Sequence, residues 1–377
     1  MGDQLDVIVV GAGLMGAATA WAAARRGLSV TVLDQFGPGH GHGSSHGSAR
    51  IVRRAYGDSL YTELSGRAFE LWRELELETG TALLRMLGGI DFGSRRDPSR
   101  VAAHLAAAGV EFELLDAVQA QRRWPGMRFA GQVVYHRQAG ALDADAATAA
   151  MLRSSATLGA LIRHHSAVSA ILPSAEGVRV GLSDGASLMA PTVVVAAGAW
   201  VGPVLGGLVD LPPLRVTQQQ IFHFPRLDVA AEPWPSVIHD DAYGVYHLAG
   251  GRDGGIGDDR KIGEHDRGKL ITAGDRDGLV DPASRARVIQ YVRRWLPGLE
   301  PVPSSSGTCL YTSTPSEDFV LDRIGPIVVC SPCSGHGAKF APLVGELATG
   351  LITGDGEVPD RFRLRRHLLG TQGRVSL

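Results

Sequence analysis

Three kinds of residue in this sequence could do chemistry that packing alone does not require. The first is Cys309, which opens "CLYTSTPSEDFVLD" beside Tyr311 in a chain with three cysteines. A thiolate is a strong nucleophile, and neighbouring cations favour that form. The plainer alternative is a buried, inert thiol packed as a small hydrophobe. Cys330 and Cys333 form C-S-P-C. Zinc would need a second pair of ligands that the sequence does not offer, so these two read as small apolar residues at the end of a buried strand. The second kind is the run "GPGHGHGSSHGSARIVRRAYG", where His40, His42 and His46 precede Arg50, Arg53 and Arg54. No carboxylate or cysteine joins these histidines at ligand spacing, so no metal is expected. Arg50 and Arg53 are three apart and would share one face of a helix beginning here. The third kind is lysine among glycine. Lys261 lies with His265 in "GGRDGGIGDDRKIGEHDRGK", read as a loop crossing between strands, and Lys339 ends "CSGHGAK".

These groups need a scaffold, and the first residues supply one. "DVIVVGAGLMGAATAWAAARRGLSVTVLD" is an apolar run, a glycine turn, an alanine-rich helix and a second apolar run ending in Asp34, which is a βαβ unit. Gly11 allows the tight turn, Gly13 lets a pyrophosphate approach the backbone, and Gly16 permits close helix–strand packing. The helix N-terminus would face the phosphates, and Asp34 is placed to accept hydrogen bonds from a ribose. The fingerprint alone does not separate NAD from FAD. Comparable strands return at "PTVVVAAGAW" and "GPIVVCSPCSGHG", both continuous β-branched runs of the sort buried on two faces. "GVRVGLSDGASLMA" instead alternates and turns at Asp184-Gly185, which reads as a hairpin. The nucleotide-type segments therefore recur at the beginning, middle and end of the chain. The stretches between, 86–143 and 216–299, are richer in Trp, Pro and charge and read as a second domain inserted into the first.

At 377 residues the chain is long enough for two domains. With Lys+Arg 37 against Asp+Glu 39, it has no global field to hold nucleic acid or an anionic membrane. Small molecules are the expected partners. The start "MGDQLDVIVV" has acid where a signal peptide carries base, and no apolar run approaches the ~20 residues of a membrane span, so a cytosolic protein is expected.

In their order along the chain, "GAGLMG", "SSHGSARIVRRAYG", "WPGM", "AAGAW", "RKIGEH", "CLYTSTPSEDFVLD" and "CSGHGAKF" resemble the FAD-dependent amine oxidases that include monomeric sarcosine oxidase and N-methyltryptophan oxidase. The likeness spans almost the whole chain. It implies a mixed α/β fold of the glutathione-reductase or D-amino-acid-oxidase kind, with a Rossmann-like FAD domain (1–85, 144–215 and 300–377). The substrate domain (86–143 and 216–299) would be built on a mixed or antiparallel sheet. It also implies a monomer, with FAD attached through a thioether from Cys309. Along the cofactor it places Ala12 and Met15 of the fingerprint, Gln35 after the acid, Ser44 and Val168. Ala197, Gly198 and Trp200 would join them, and Gly335 and Gly337 would approach the pyrimidine ring. Arg50 would lie near the flavin ring and His46 near its dimethylbenzene side. Arg53 and Lys339 would hold a substrate carboxylate, Lys339 also bordering the cofactor, and Tyr311 would line the substrate pocket. Lys261 would speed electron transfer to dioxygen, and His265 falls on the family's active-site histidine. In the pocket position where a sarcosine oxidase has tyrosine, "GVYHLAG" puts His247, or Tyr246 if the gap shifts by one; the loop to Lys261 is also longer. The implied reaction is oxidation of a secondary amino acid, N-methyl or cyclic, with release of hydrogen peroxide. A dehydrogenase of the same fold, a primary amino acid oxidase and a non-catalytic flavin-binding scaffold are the alternatives.

Overall fold

The computed structural model describes residues 5–228 and 233–372. Among these, the continuous apolar runs form one sheet in the order Val320–Ile324, Ile327–Ser331, Thr192–Val195, Val7–Val10, Val30–Leu33, Leu161–Arg163. All neighbours are parallel except the first pair, with Val7 opposite both Val30 and Thr192. Strand residues alternate between faces, and the core divides accordingly. Val7 and Val9 pack on helices Leu14–Arg25, Ala144–Thr157 and Ala341–Thr353, while Ile8 and Val10 pack with Ile171, Val178 and Val180 on the opposite side. That opposite layer is a three-stranded meander, Val168–Ser174, Gly177–Leu182 and Ser187–Ala190. Its second hairpin turns at Asp184-Gly185, with Gly185 at φ +87°. Helices Leu14–Arg25 and Ala341–Thr353 touch backbone to backbone at Gly345, where a Cβ would stand 2.2 Å from the Ala18 carbonyl oxygen.

The second sheet is mixed and has nine strands among the described residues. Arg215–Phe224 is its hub, pairing antiparallel with Arg260–Glu264 on one side and Ser305–Ser313 on the other, so that Cys309 lies opposite Gln219. Gly244–Ala249, Ser236–Asp240 and Gly89–Phe92 follow, the last two parallel. Helix Pro282–Trp295 covers one face; it starts at Asp281, whose carboxylate accepts from the Ala283 and Ser284 amides, with proline in the first turn. Val288 and Val292 pack there against Val237, Val245, Phe222 and Ile262.

Two sequence expectations change. Arg50–Arg53 is a strand, paired antiparallel with Ala139–Leu142, and not the start of a helix, so Arg50 and Arg53 point to opposite faces. The glycine/acid stretch is a loop only as far as Asp259; Arg260–Glu264 is a fully buried strand, and Lys261 sits inside it. Among the described residues no helix is long and apolar enough to cross a membrane.

Candidate active site

A cavity of about 830 Å³ begins at the carboxyl ends of the parallel strands and runs across to the uncovered face of the second sheet. At its first end, Gly11 takes φ +104°, and a Cβ on Gly16 would stand 1.7 Å from the Gly11 carbonyl oxygen, so both positions demand glycine. Gly13 caps the helix with no side chain of its own; the Leu14 amide donates to Ser45 Oγ at 2.9 Å, and Gly13, Leu14 and Met15 line the cavity. Asp34 is buried beside it, its carboxylate fixed by the Ala12 amide at 2.7 Å and the Phe36 amide at 2.8 Å. Gln35, Ser44, Val168, Ala197, Gly198 and Trp200 line the same stretch, as do Ala12 and Met15. Gly16 lies beneath the turn and does not line the cavity.

The 44–50 loop is closed by Arg50, whose guanidinium donates to the carbonyls of Ser44 (3.0 Å), His46 (2.5 Å) and Ala49 (2.9 Å). His46 lines the cavity with Nε2 buried and unpartnered. Burial, reinforced by Arg50, Arg276 and Lys261, pulls its pKa down to about 4, so it is a neutral ring.

The second sheet contributes by alternation. Tyr246, Leu248 and Lys261 line the cavity, with Gly263 opposite Tyr246 on the same face, whereas Ile262 and Arg260 turn to the covered face; Val245 packs into the core there and also borders the cavity. His247 turns away with them: it is 1% exposed and its Nδ1 accepts from Arg260 Nε at 2.9 Å. The expectation that His247 lines the substrate pocket is therefore corrected; one residue along a strand reverses the face, and Tyr246 occupies that place. Tyr246 is hydrogen-bonded to Tyr311, and burial raises its pKa to about 12, keeping it a phenol. Lys261 is fully buried and donates to the Ala49 carbonyl at 3.0 Å. Burial first, then Arg50, lower its pKa to about 7.

At the far end, Arg53 and Lys339 flank the Tyr56 ring, with Arg53 4.1 Å and the Lys339 amine 5.7 Å from its centre. Trp72 Nε1 pins the Lys339 carbonyl at 2.8 Å, and Lys339 Nζ donates to the His336 carbonyl at 2.7 Å. Burial, then Arg53, hold the Lys339 pKa well below its usual value. Arg53 Nη1 and the Tyr56 hydroxyl are buried with no hydrogen-bond partner, and Asp91, also contacted by Arg96, lies 3.6 Å from Arg53 Nη1. His265 contacts Glu317 at 3.5 Å, and Gly335 is wedged beneath Tyr311 and His265, where a Cβ would meet Tyr311 at 2.4 Å. Cys309 and Gly337 also line this cavity; Cys330 borders it, buried, with its thiol pushed up to about 12.

The sequence thus points to residues that the fold gathers from stretches spread over the whole chain, but it did not single out Tyr56, Glu317 or Asp253. Tyr56 stands in the quoted "RRAYG", directly after the arginines, and proximity was its signal. The residues present suit a flavin dinucleotide: a helix N-terminus that lines the cavity for the pyrophosphate, a fixed carboxylate for the ribose, and a thiol at the cavity wall.

The comparisons agree. Residues 6–351 match the family model described as DAO, FAD dependent oxidoreductase. Monomeric sarcosine oxidase of Streptomyces avermitilis is 33% identical over 94% of this chain and 95% of that protein. N-methyl-L-tryptophan oxidase of Yersinia pestis is 31% identical over 91% and 93%. Among solved structures, the open form of NikD, an unusual amino acid oxidase essential for nikkomycin biosynthesis, superposes with a TM-score of 0.83 at 25% identity, covering 94% of this chain and 95% of NikD. With the glycine turn, the strand order and the matched length in accord, the chain belongs to the FAD-dependent oxidoreductase family and is an enzyme.

Proposed function

We propose that this enzyme oxidises a secondary amino acid, N-methyl or cyclic, to its imine, passing the electrons to dioxygen to give hydrogen peroxide. The FAD is held through a thioether to Cys309. Bound FAD supplies a two-electron acceptor for the hydride equivalent lost from the C–H beside nitrogen. The observation that carries the reading is the unsatisfied Arg53 Nη1 next to Lys339, in the same cavity as Cys309 and Lys261. Asp91, 3.6 Å from Arg53 and shared with Arg96, only partly balances the buried Arg53 and Lys339 charges, and a substrate carboxylate would complete that balance. Arg53 offers a fork and Lys339 a point charge, which together orient the substrate. Tyr246 and Tyr311 bound the opposite wall as neutral phenols, in keeping with a ring or N-alkyl group lying against them. Lys261 places an ammonium where negative charge develops on oxygen. The relatives named sarcosine oxidase and N-methyl-L-tryptophan oxidase support the N-methyl class, and the name "monomeric" supports a monomer.

The test has two parts. Acid precipitation of the purified enzyme should leave yellow colour in the pellet, and Cys309→Ser should release it to the supernatant. A peroxide assay over N-methyl and cyclic amino acids should give turnover coupled one-to-one to oxygen uptake. Turnover only with an artificial dye would instead identify a dehydrogenase.

A further inference from the structure

The loop before Lys261 carries a latch. Its short helical turn, Gly251–Gly254, is latched to the cofactor-side loop by reciprocal bonds: the Ser48 amide donates to Asp253 Oδ2 at 2.7 Å, and the Asp253 amide donates to Ser48 Oγ at 2.9 Å. Arg252 forms ion pairs with Asp143 and Asp145, and Arg85 pairs with Asp258 at 2.5 Å, so the loop is tied down on both sides. The latch brings Asp253 to Gly47. A Cβ built there would stand 2.9 Å from Asp253 Oδ2, 3.4 Å from Arg50 Nη1 and 3.9 Å from Lys261 Nζ. Carboxylate, guanidinium and ammonium therefore meet over one glycine, which holds φ +100° and has no side chain to part them.

We propose that Asp253 is the positioning residue for Lys261, fixing its ammonium over Gly47 and keeping it charged for the transfer of electrons to dioxygen. This rests on the role proposed above for Lys261. The other groups that face the amine are Arg50 and His46 from the same loop, His223 as its cross-strand partner, Cys309, and Asp145 at the start of helix Ala144–Thr157. Burial and then Arg50 oppose the charge on Lys261, while Cys309 as a thiolate, then Asp253 and Asp145 favour it; with Cys309 held as a thioether, Asp253 leads the groups that favour it. Removing the Asp253 charge tips that balance toward the neutral amine, and a neutral amine cannot stabilise developing superoxide.

Rapid-mixing reoxidation of the substrate-reduced holoenzyme across pH 6–10 tests this in the wild type, Asp253→Asn, Asp253→Glu and Lys261→Met. Asparagine keeps an oxygen for the Ser48 amide, so the latch survives. Asp253→Asn should move the pH at which reoxidation declines downward by about one unit and slow reoxidation about tenfold at pH 8. Flavin reduction should stay within about twofold of wild type, and Asp253→Glu should restore the profile. The absorbance titration of the resting, oxidised flavin, read without any turnover, should shift to lower pH in Asp253→Asn, as loss of a nearby anion requires. A superimposable Asp253→Asn profile alongside slow Lys261→Met overturns the proposal. Wild-type reoxidation in Lys261→Met overturns the lysine's role and this proposal with it.

Discussion

Arg53 and Tyr56 form a buried pair stacked at 4.1 Å, and each keeps an unused polar atom at the cavity end. Such atoms cost stability until a ligand meets them. Arg53→Met is expected to raise KM for a carboxylate-bearing substrate roughly 10- to 100-fold, as follows from losing a charged hydrogen bond of about 1.5–3 kcal/mol; steady-state kinetics would show it, and unchanged KM would contradict the clamp. Tyr56→Phe removes a hydroxyl that has no partner, so chemical denaturation of the cofactor-free protein should show no loss of stability, or a gain of about 1 kcal/mol. Lys261→Met should slow flavin reoxidation roughly 100-fold or more while leaving flavin reduction nearly intact; equal effects on both half-reactions would speak against its role. Lys261 is singled out in the sequence only through the resemblance of "RKIGEH" to the family motif; among Asp258, Asp259 and Arg260 it otherwise reads as a solvated loop lysine. Tyr56 is not singled out, since a tyrosine in a sequence does not reveal whether its hydroxyl will find a partner.

At the level of elements, the βαβ unit was readable because three demands coincide there: an apolar run, glycines whose positions admit no Cβ, and an acid at the second strand's end. Gly16→Ala would set a methyl 1.7 Å from the Gly11 oxygen and force the helix off the strand. A loss of about 1–3 kcal/mol is expected, together with preparations that are mostly colourless; a fully flavinated, equally stable variant would refute the packing account. Arg260–Glu264 was hidden for a physical reason. A run of charge reads as loop because burying charge is costly, and here each charge has its own partners. Arg260 is held by His247 and by the carbonyls of Trp234 and Pro235, and Glu264 by Ser284 and Arg287. Those partners lie on other strands and on a helix, out of reach of local pattern. The displacement of His247 by Tyr246 has a similar origin: an alignment gap of one residue is small in sequence and a reversal of side in a strand.

Over the whole molecule, buried imidazoles govern the acid limb of stability. Burial is the first cause holding His46, His136 and His223 at about 4 and His336 at about 3. All are neutral when folded and take up protons near pH 6.5 only when unfolded. The unfolded chain then binds more protons, so the stability these imidazoles confer is full above about pH 6.5 and falls as the pH drops toward 4. Lys261 acts in the alkaline range: folded it loses its proton near 7, unfolded near 10.4, so stability of the cofactor-free protein should rise with pH across that interval. Denaturation of stripped Cys309→Ser at successive pH values would show both slopes, and Lys261→Met should reduce the alkaline one, to which the depressed Lys339 also contributes. Which strands become neighbours was not visible in the sequence, because pairing joins residues far apart: Ser305–Ser313, expected within the nucleotide domain, pairs with Arg215–Phe224 in the second sheet. Strand Ile327–Ser331 completes the nucleotide sheet only by docking on Thr192–Val195, itself beside Val7–Val10. A ribosome must therefore deliver more than three hundred residues before the phosphate cradle has its full floor. FAD capture is then expected to follow synthesis of most of the chain. In a riboflavin-starved cell the interval before capture lengthens, and the amount of enzyme should track the vitamin supply through proteolysis of the unfilled form.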